Sequence, residues 1–176
     1  MNWYRKANLE SVLSRYGYSE ENLDWIGSGD FGNAYSMGDG KVLKETSSQG
    51  EAEIAKQLMG MSGAFAKIYD VTEDGGYYYI LQEEVETDGH IEDLFGELQN
   101  LLSFEELPIQ YIGMFDERDL PDGYSVSDEM RSFINGIENI NRVYGMLGIE
   151  ASDIRPENMG YRDGELVAFD MDNKNR

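Results

Sequence analysis

Residues 27–44 read GSGDFGNAYSMGDGKVLK: three glycines at G-x-G-x-x-G spacing, an alternating run, a Gly-Asp-Gly turn and a short apolar strand ending in lysine. Glycines at this spacing let backbone amides come close to a phosphate with no Cβ in the way. In a dinucleotide-binding βαβ unit the third glycine opens a helix. Here Gly32 opens Asn33-Ala34-Tyr35-Ser36-Met37, which alternates as a strand does. Lys41 to Lys44 predicts a second strand, joined to the first through Gly38-Asp39-Gly40, a sequence suited to a tight hairpin. The predicted unit is therefore strand, glycine loop, strand, lysine-bearing strand.

Upstream, residues 7–17 predict a short helix, with Leu9, Val12 and Leu13 at helical spacing and Gly17 as its stop. Asn22 to Ile26 leads into the glycines as a strand. Downstream, residues 50–60 suit a helix with Ile54, Leu58 and Met61 on one face, and Phe65–Val71 and Tyr77–Val85 read as a hairpin around Glu73-Asp74-Gly75-Gly76. The second half is helical. Residues 91–102 gather Leu94, Phe95, Leu98, Leu101 and Leu102 on one side, with His90 in the loop before them. Residues 103–126, with Pro108 and Pro121, predict an irregular connection. Ser127 caps a helix to about Met146, whose stripe of Met130, Phe133, Ile134, Ile137, Ile140 and Tyr144 is a core face. A last hairpin joins Met159–Tyr161 to Leu166–Phe169 around Arg162-Asp163-Gly164. The expected class is α+β: a β-rich lobe with one inserted helix over 1–85, a connector near 83–90, and a helical lobe over 86–176.

Composition bounds the function. Thirty-five acids against 14 Lys plus Arg give a net charge of -21 over 176 residues. That argues against direct nucleic-acid binding, which needs a basic footprint, and against docking on anionic membranes. With no Cys and one His, disulfides, thiolate chemistry and two-His metal sites are excluded within the chain. No apolar run approaches the roughly 20 residues of a membrane span, and the N-terminus lacks an apolar signal region. A cytoplasmic protein is expected.

Further residues extend the pattern. Asp153-Ile154-Arg155-Pro156-Glu157-Asn158 places an Asp five positions before an Asn, and Leu166-Val167-Ala168-Phe169 delivers Asp170 twelve positions after Asn158. Together with Gly27, Gly29, Phe31, Gly32 and Lys44, this set resembles the protein-kinase-like superfamily. The resemblance implies a two-lobe fold, an antiparallel β lobe with one helix followed by a reduced helical lobe, and Mg²⁺-ATP-dependent phosphotransfer to a hydroxyl. It implies that Lys44 holds phosphates and that a Glu on the following helix positions Lys44. Glu51 and Glu53 are both candidates, and the spacing from Glu53-Ile54 to Lys67–Val71 favours Glu53. It further implies that Gln82 sits behind the adenine, that Glu83 and Val85 offer it backbone groups, that Asp153 orients the acceptor hydroxyl, and that Asn158 and Asp170 hold Mg²⁺. Asp172 is a possible added ligand.

The departures are specific. Ala151-Ser152-Asp153 stands where the family has His-Arg-Asp, and Asp170-Met171-Asp172 where it has Asp-Phe-Gly. The sequence given ends six residues past Asp170, without an activation segment or the later helices that carry peptide substrates, so a minimal kinase is expected, of a kind suited to a compact genome such as a phage's, acting then in the host cytoplasm. The acids crowded between Glu83 and Glu129 read as a solvated surface, or as an attraction for a cationic substrate or a basic protein partner. The reading that competes with catalysis is a non-catalytic pseudokinase-like module, or an acidic nucleic-acid mimic that binds and inhibits a basic enzyme.

Overall fold

The computed structural model describes residues 3–103, 125–148 and 154–170. The chain is α+β, and its described residues divide by their contacts into two units, one built from 3–62 and 66–84, the other from 63–65 and those between 85 and 170.

The first unit is a five-stranded antiparallel sheet: β1 (Asp24–Ser28), β2 (Gly32–Ser36), β3 (Lys41–Thr46), β4 (Ile68–Asp74) and β5 (Tyr77–Glu83), in the order β1-β2-β3-β5-β4. Because side chains alternate along a strand, each face collects every second residue. Tyr35, Leu43 and Leu81, opposite one another across β2, β3 and β5, share one face. There they pack with Met37 and Tyr79 against Leu9, Val12 and Leu13 of helix α1 (Trp3–Tyr16). The other face carries Lys44. Helix α2 (Gln49–Leu58) packs against β3, β4 and β5, burying Ala52, Ile54, Ala55 and Leu58. Met61, expected on that face, is exposed, because the helix ends at Leu58 before the turn would bring it round.

The second unit holds α3 (Gly89–Ser103), α4 (Asp128–Leu147) and a two-stranded ribbon, β6 (Met159–Arg162) with β7 (Glu165–Ala168). Ser127 caps α4, its hydroxyl accepting from Met130 N, and Gly148 ends it in the left-handed region at φ 67°. All six residues of the predicted stripe are buried. Gly136 has no room for a side chain: a Cβ there would lie 2.7 Å from Leu166 Cβ. His90 lies in the first turn of α3 rather than in a loop, with Nε2 2.8 Å from Glu129 Oε1, a contact that raises its pKa. Of the residues expected to form the irregular connection, 104–124, including Pro108 and Pro121, lie outside the described set, while Ser103 ends α3.

One expectation about the strands is corrected. Phe65 was placed at the start of a strand running to Val71, but β4 begins at Ile68 and continues to Asp74. Gly63–Phe65 instead joins the second unit: Ala168 N donates to Ala64 O at 2.9 Å, and the Arg162 guanidinium donates to Gly63 O at 2.7 Å and Phe65 O at 3.1 Å. The Phe65 ring meets Tyr144 edge-on, its centroid 5.6 Å away. Val85 likewise belongs with the second unit, against Gly160. Among the described residues, no helix is long and apolar enough to cross a membrane.

Polar contacts at its C-terminal end also fasten α1 to the sheet. Tyr16 Oη donates to Asp70 Oδ2 at 2.7 Å and lies 3.1 Å from Thr72 Oγ1. Burial, and then the neighbouring Asp70 carboxylate, pushes the phenol up to about 12. A phenol whose pKa is raised on folding stabilises the fold fully below its unfolded value of about 10 and loses that contribution as pH climbs through 12. Denaturant titrations from pH 9 to 12 should find Tyr16→Phe less stable than the parent by about 1 kcal/mol at pH 9, with the gap closing towards pH 12; a gap independent of pH would contradict the assignment.

Candidate phosphate and metal sites

Lys44 sits on β3, the middle strand, which is hydrogen-bonded on both sides. Directly across from it are Ala34 on β2 and Ile80 on β5, and Ala34 is in turn opposite Gly27 on β1. Gly27, Ala34 and Lys44 thus form one cross-strand row. At a strand spacing of about 4.8 Å the first glycine lies roughly 10 Å from the lysine backbone, and the small Ala34 side chain stands between them.

The ammonium of Lys44 is ion-paired with Glu51 Oε1. Lys44 is 17% exposed and Glu51 7%, so both charges are largely removed from water. This corrects the preference for Glu53. Two helical positions correspond to about 200° of rotation, so Glu51 and Glu53 cannot face the same strand. Glu53 instead accepts from Gln49 Nε2 at 2.8 Å. Local chemistry at the start of α2 sets which acid faces the sheet. Ser48 is the N-cap, its Oγ accepting from Glu51 N at 3.2 Å, while the Ser48 amide donates to Thr46 Oγ1 at 3.1 Å. A Ser-x-x-Glu pair is the spacing of a capping box; here the carboxylate at its third position reaches the lysine.

The three loop glycines divide by role. At Gly32 a Cβ would fall 1.6 Å from Glu45 O and 2.9 Å from Thr46 Cα, so the close approach of β2 to β3 requires glycine. Gly27 and Gly29 have ordinary φ angles, and nothing described lies within 4 Å of a Cβ built there. The loop closes on itself through Gly29 N donating to Gly32 O at 3.1 Å. The Phe31 ring is 45% exposed and Ile26, just before the glycines, 51%. Ile26 was not singled out from sequence; an apolar side chain before a glycine loop is the signal that could have found it.

Glu83 N donates to Lys67 O at 2.8 Å and its carboxylate accepts from Lys67 N at 3.1 Å, while Glu84 N donates to Gly40 O at 2.9 Å. Gln82 is buried in the sheet. In the second unit, Val85 packs on Gly160, and Glu86 and Tyr161 exchange two backbone hydrogen bonds of 2.9 and 2.8 Å.

Asn158 and Asp170 lie at the same open end of the β6–β7 ribbon. Asn158 closes a 3-10 turn (Pro156–Asn158), its N–H donating to Arg155 O at 3.0 Å, and its carbonyl accepts from Phe169 N at 2.9 Å. Asp170 is the next residue, and both side chains are half-buried. Among the described residues no group of three or more His, Asp or Glu forms a metal cluster. Asp153 and Asp172 lie outside the described residues. Compared with protein-family models and with curated proteins, the chain matches none.

Two substitution series separate these roles. Gly32→Ala should cost about 3 kcal/mol of stability through the clash with Glu45, whereas Gly27→Ala and Gly29→Ala should stay within about 0.5 kcal/mol; equal costs at all three would refute the division. Glu51→Gln, which leaves a mostly buried ammonium without its counter-charge, should cost about 2 kcal/mol, against about 0.5 kcal/mol or less for Glu53→Gln, both read from urea unfolding midpoints.

Proposed function

We propose that this chain belongs to the protein-kinase-like superfamily, as an Mg²⁺-ATP-dependent phosphotransferase acting on a hydroxyl. The observation that carries the reading is the buried Lys44–Glu51 pair on the same sheet row as Gly27. A central strand has no need of a cation: an aliphatic residue would fill the position without the cost of desolvating two charges. A lysine ammonium carries three donors, so a cation paired with a carboxylate there suits the recognition of a polyphosphate. At Gly27 and Gly29 nothing described lies within 4 Å of a Cβ, which leaves space for a ligand beside the backbone there.

In the second unit Asn158 and Asp170 offer one amide oxygen and one carboxylate. Such a hard-oxygen pair is the protein share expected for Mg²⁺, which usually keeps waters and phosphate oxygens for its other positions. Bound there with ATP, Mg²⁺ supplies neutralisation of phosphate charge. Lys44 would hold the phosphates, Glu51 would fix Lys44, and Asp153 would orient the acceptor hydroxyl. Glu83 and Val85 would offer backbone groups to the adenine, and the exposed Ile26 would offer an apolar surface. Phosphoryl transfer asks mainly for alignment and charge stabilisation, and these are residue types suited to that work.

Calorimetric titration of ATP into the protein tests the reading. Binding should require Mg²⁺, weaken about tenfold or more in Asp170→Ala, and weaken comparably in Lys44→Met, where charge-assisted hydrogen bonds are lost. Absence of binding at millimolar nucleotide would sink the phosphotransferase and leave a non-catalytic acidic binding protein.

A further inference from the structure

Resting on the phosphotransferase reading, we infer that Ser47 is the positioning residue of the glycine loop, a role its sequence does not announce. Ser47 lies in the two-residue link, Ser47-Ser48, between β3 and α2. Both of its donors converge on one acceptor at the loop tip: the Ser47 N–H donates to Phe31 O at 2.9 Å and Ser47 Oγ to the same oxygen at 3.0 Å. The residues on either side are also committed. Thr46 Oγ1 accepts from Ser48 N, and Ser48 Oγ caps the helix at Glu51 N. One short link therefore fastens the loop tip, the end of the lysine strand and the first turn of the Glu51 helix.

The close approach at Gly32 makes the clasp possible. Only without a Cβ can β2 begin against Glu45 O and Thr46 Cα, which brings Phe31 O within reach of residue 47. The Phe31 ring is exposed and does not anchor the tip by burial. The tip between β1 and β2, which includes Gly29, would otherwise keep backbone freedom that a ligand would have to remove on binding. A loop already held at Phe31 presents its amides in place, so less ordering is left to the binding step. The clasp has a second consequence. Displacing α2 so as to part Glu51 from Lys44 would have to break the Ser48 cap and the Ser47 clasp together, so the lysine, its carboxylate and the loop are set as one body.

The test uses Ser47→Ala and Ser47→Thr in the full chain, read by amide hydrogen exchange at Gly29 and residue 47, by the thermal midpoint, and by calorimetric titration with Mg²⁺-ATP. Ser47→Ala keeps the amide and loses the hydroxyl; exchange should speed up several-fold and the nucleotide Kd should rise about threefold, the loss of one exposed hydrogen bond, with the thermal midpoint nearly unchanged. Ser47→Thr, which keeps a hydroxyl, should restore both. Unchanged exchange in Ser47→Ala would overturn the clasp whatever the nucleotide does. Faster exchange with an unchanged Kd would overturn the positioning role and leave a structural contact. A parent protein that binds no nucleotide would remove the phosphotransferase reading and the positioning role with it, and exchange alone would still report whether the clasp exists.

Discussion

The Lys44–Glu51 ion pair is the constraint around which the first unit is organised. A cation on the central strand of a sheet is costly to desolvate, and losing its partner would leave a mostly buried charge uncompensated. The partner must therefore arrive from a helix that starts immediately after the strand, in a rotation that directs its third residue inward. The chain meets that demand locally: Thr46 receives the Ser48 amide, Ser48 caps the helix, and Glu51 falls at the position facing the sheet. Burial of Ala52, Ile54, Ala55 and Leu58 holds the rotation once set.

The opposite face of the sheet is handled by different chemistry. Leu43 is completed by Leu9, Val12 and Leu13 of α1, but Glu45, which alternation sends to the same side, is fully buried. Asn33 Nδ2 donates to one of its oxygens at 3.2 Å and Tyr79 Oη to the other at 3.4 Å. A carboxylate in a core demands such donors, and they come from the strands on either side of β3. The sheet thus carries a charge on each face, Lys44 on one and Glu45 on the other, each met by a partner that the strand pairing or the following helix brings in.

The second unit rests on packing. The α4 stripe supplies its core, and small residues set close approaches: Gly136 under Leu166, and Gly160 under Val85. Arg162 binds two carbonyls of a segment nearly a hundred residues earlier. That anchoring is why Gly63–Phe65, although it lies between elements of the first unit in sequence, takes its contacts from the second. The ribbon also brings Asn158 and Asp170 to one end, because Phe169 N and Asn158 O extend the pairing just beyond the strands.

Periodicity in the sequence was enough to place most of the strands, the cap at Ser127 and the α4 core, since alternation and 3.6-residue spacing are local properties that burial then rewards. The spacing of Gly27 to Lys44 and of Asn158 to Asp170 is legible in the same local way, and it motivates the proposed phosphate and metal roles. Tertiary structure decided what local pattern leaves open. Glu51 and Glu53 are equivalent as letters on a helix, and only the rotation imposed by the Ser48 cap and the buried apolar face selects Glu51. Gly32 looks the same as Gly27 and Gly29, and only the approach of β3 separates a packing glycine from two that the fold leaves open. Phe65 fits a strand by composition, and its partner Ala168 lies too far along the chain for any local window to contain both.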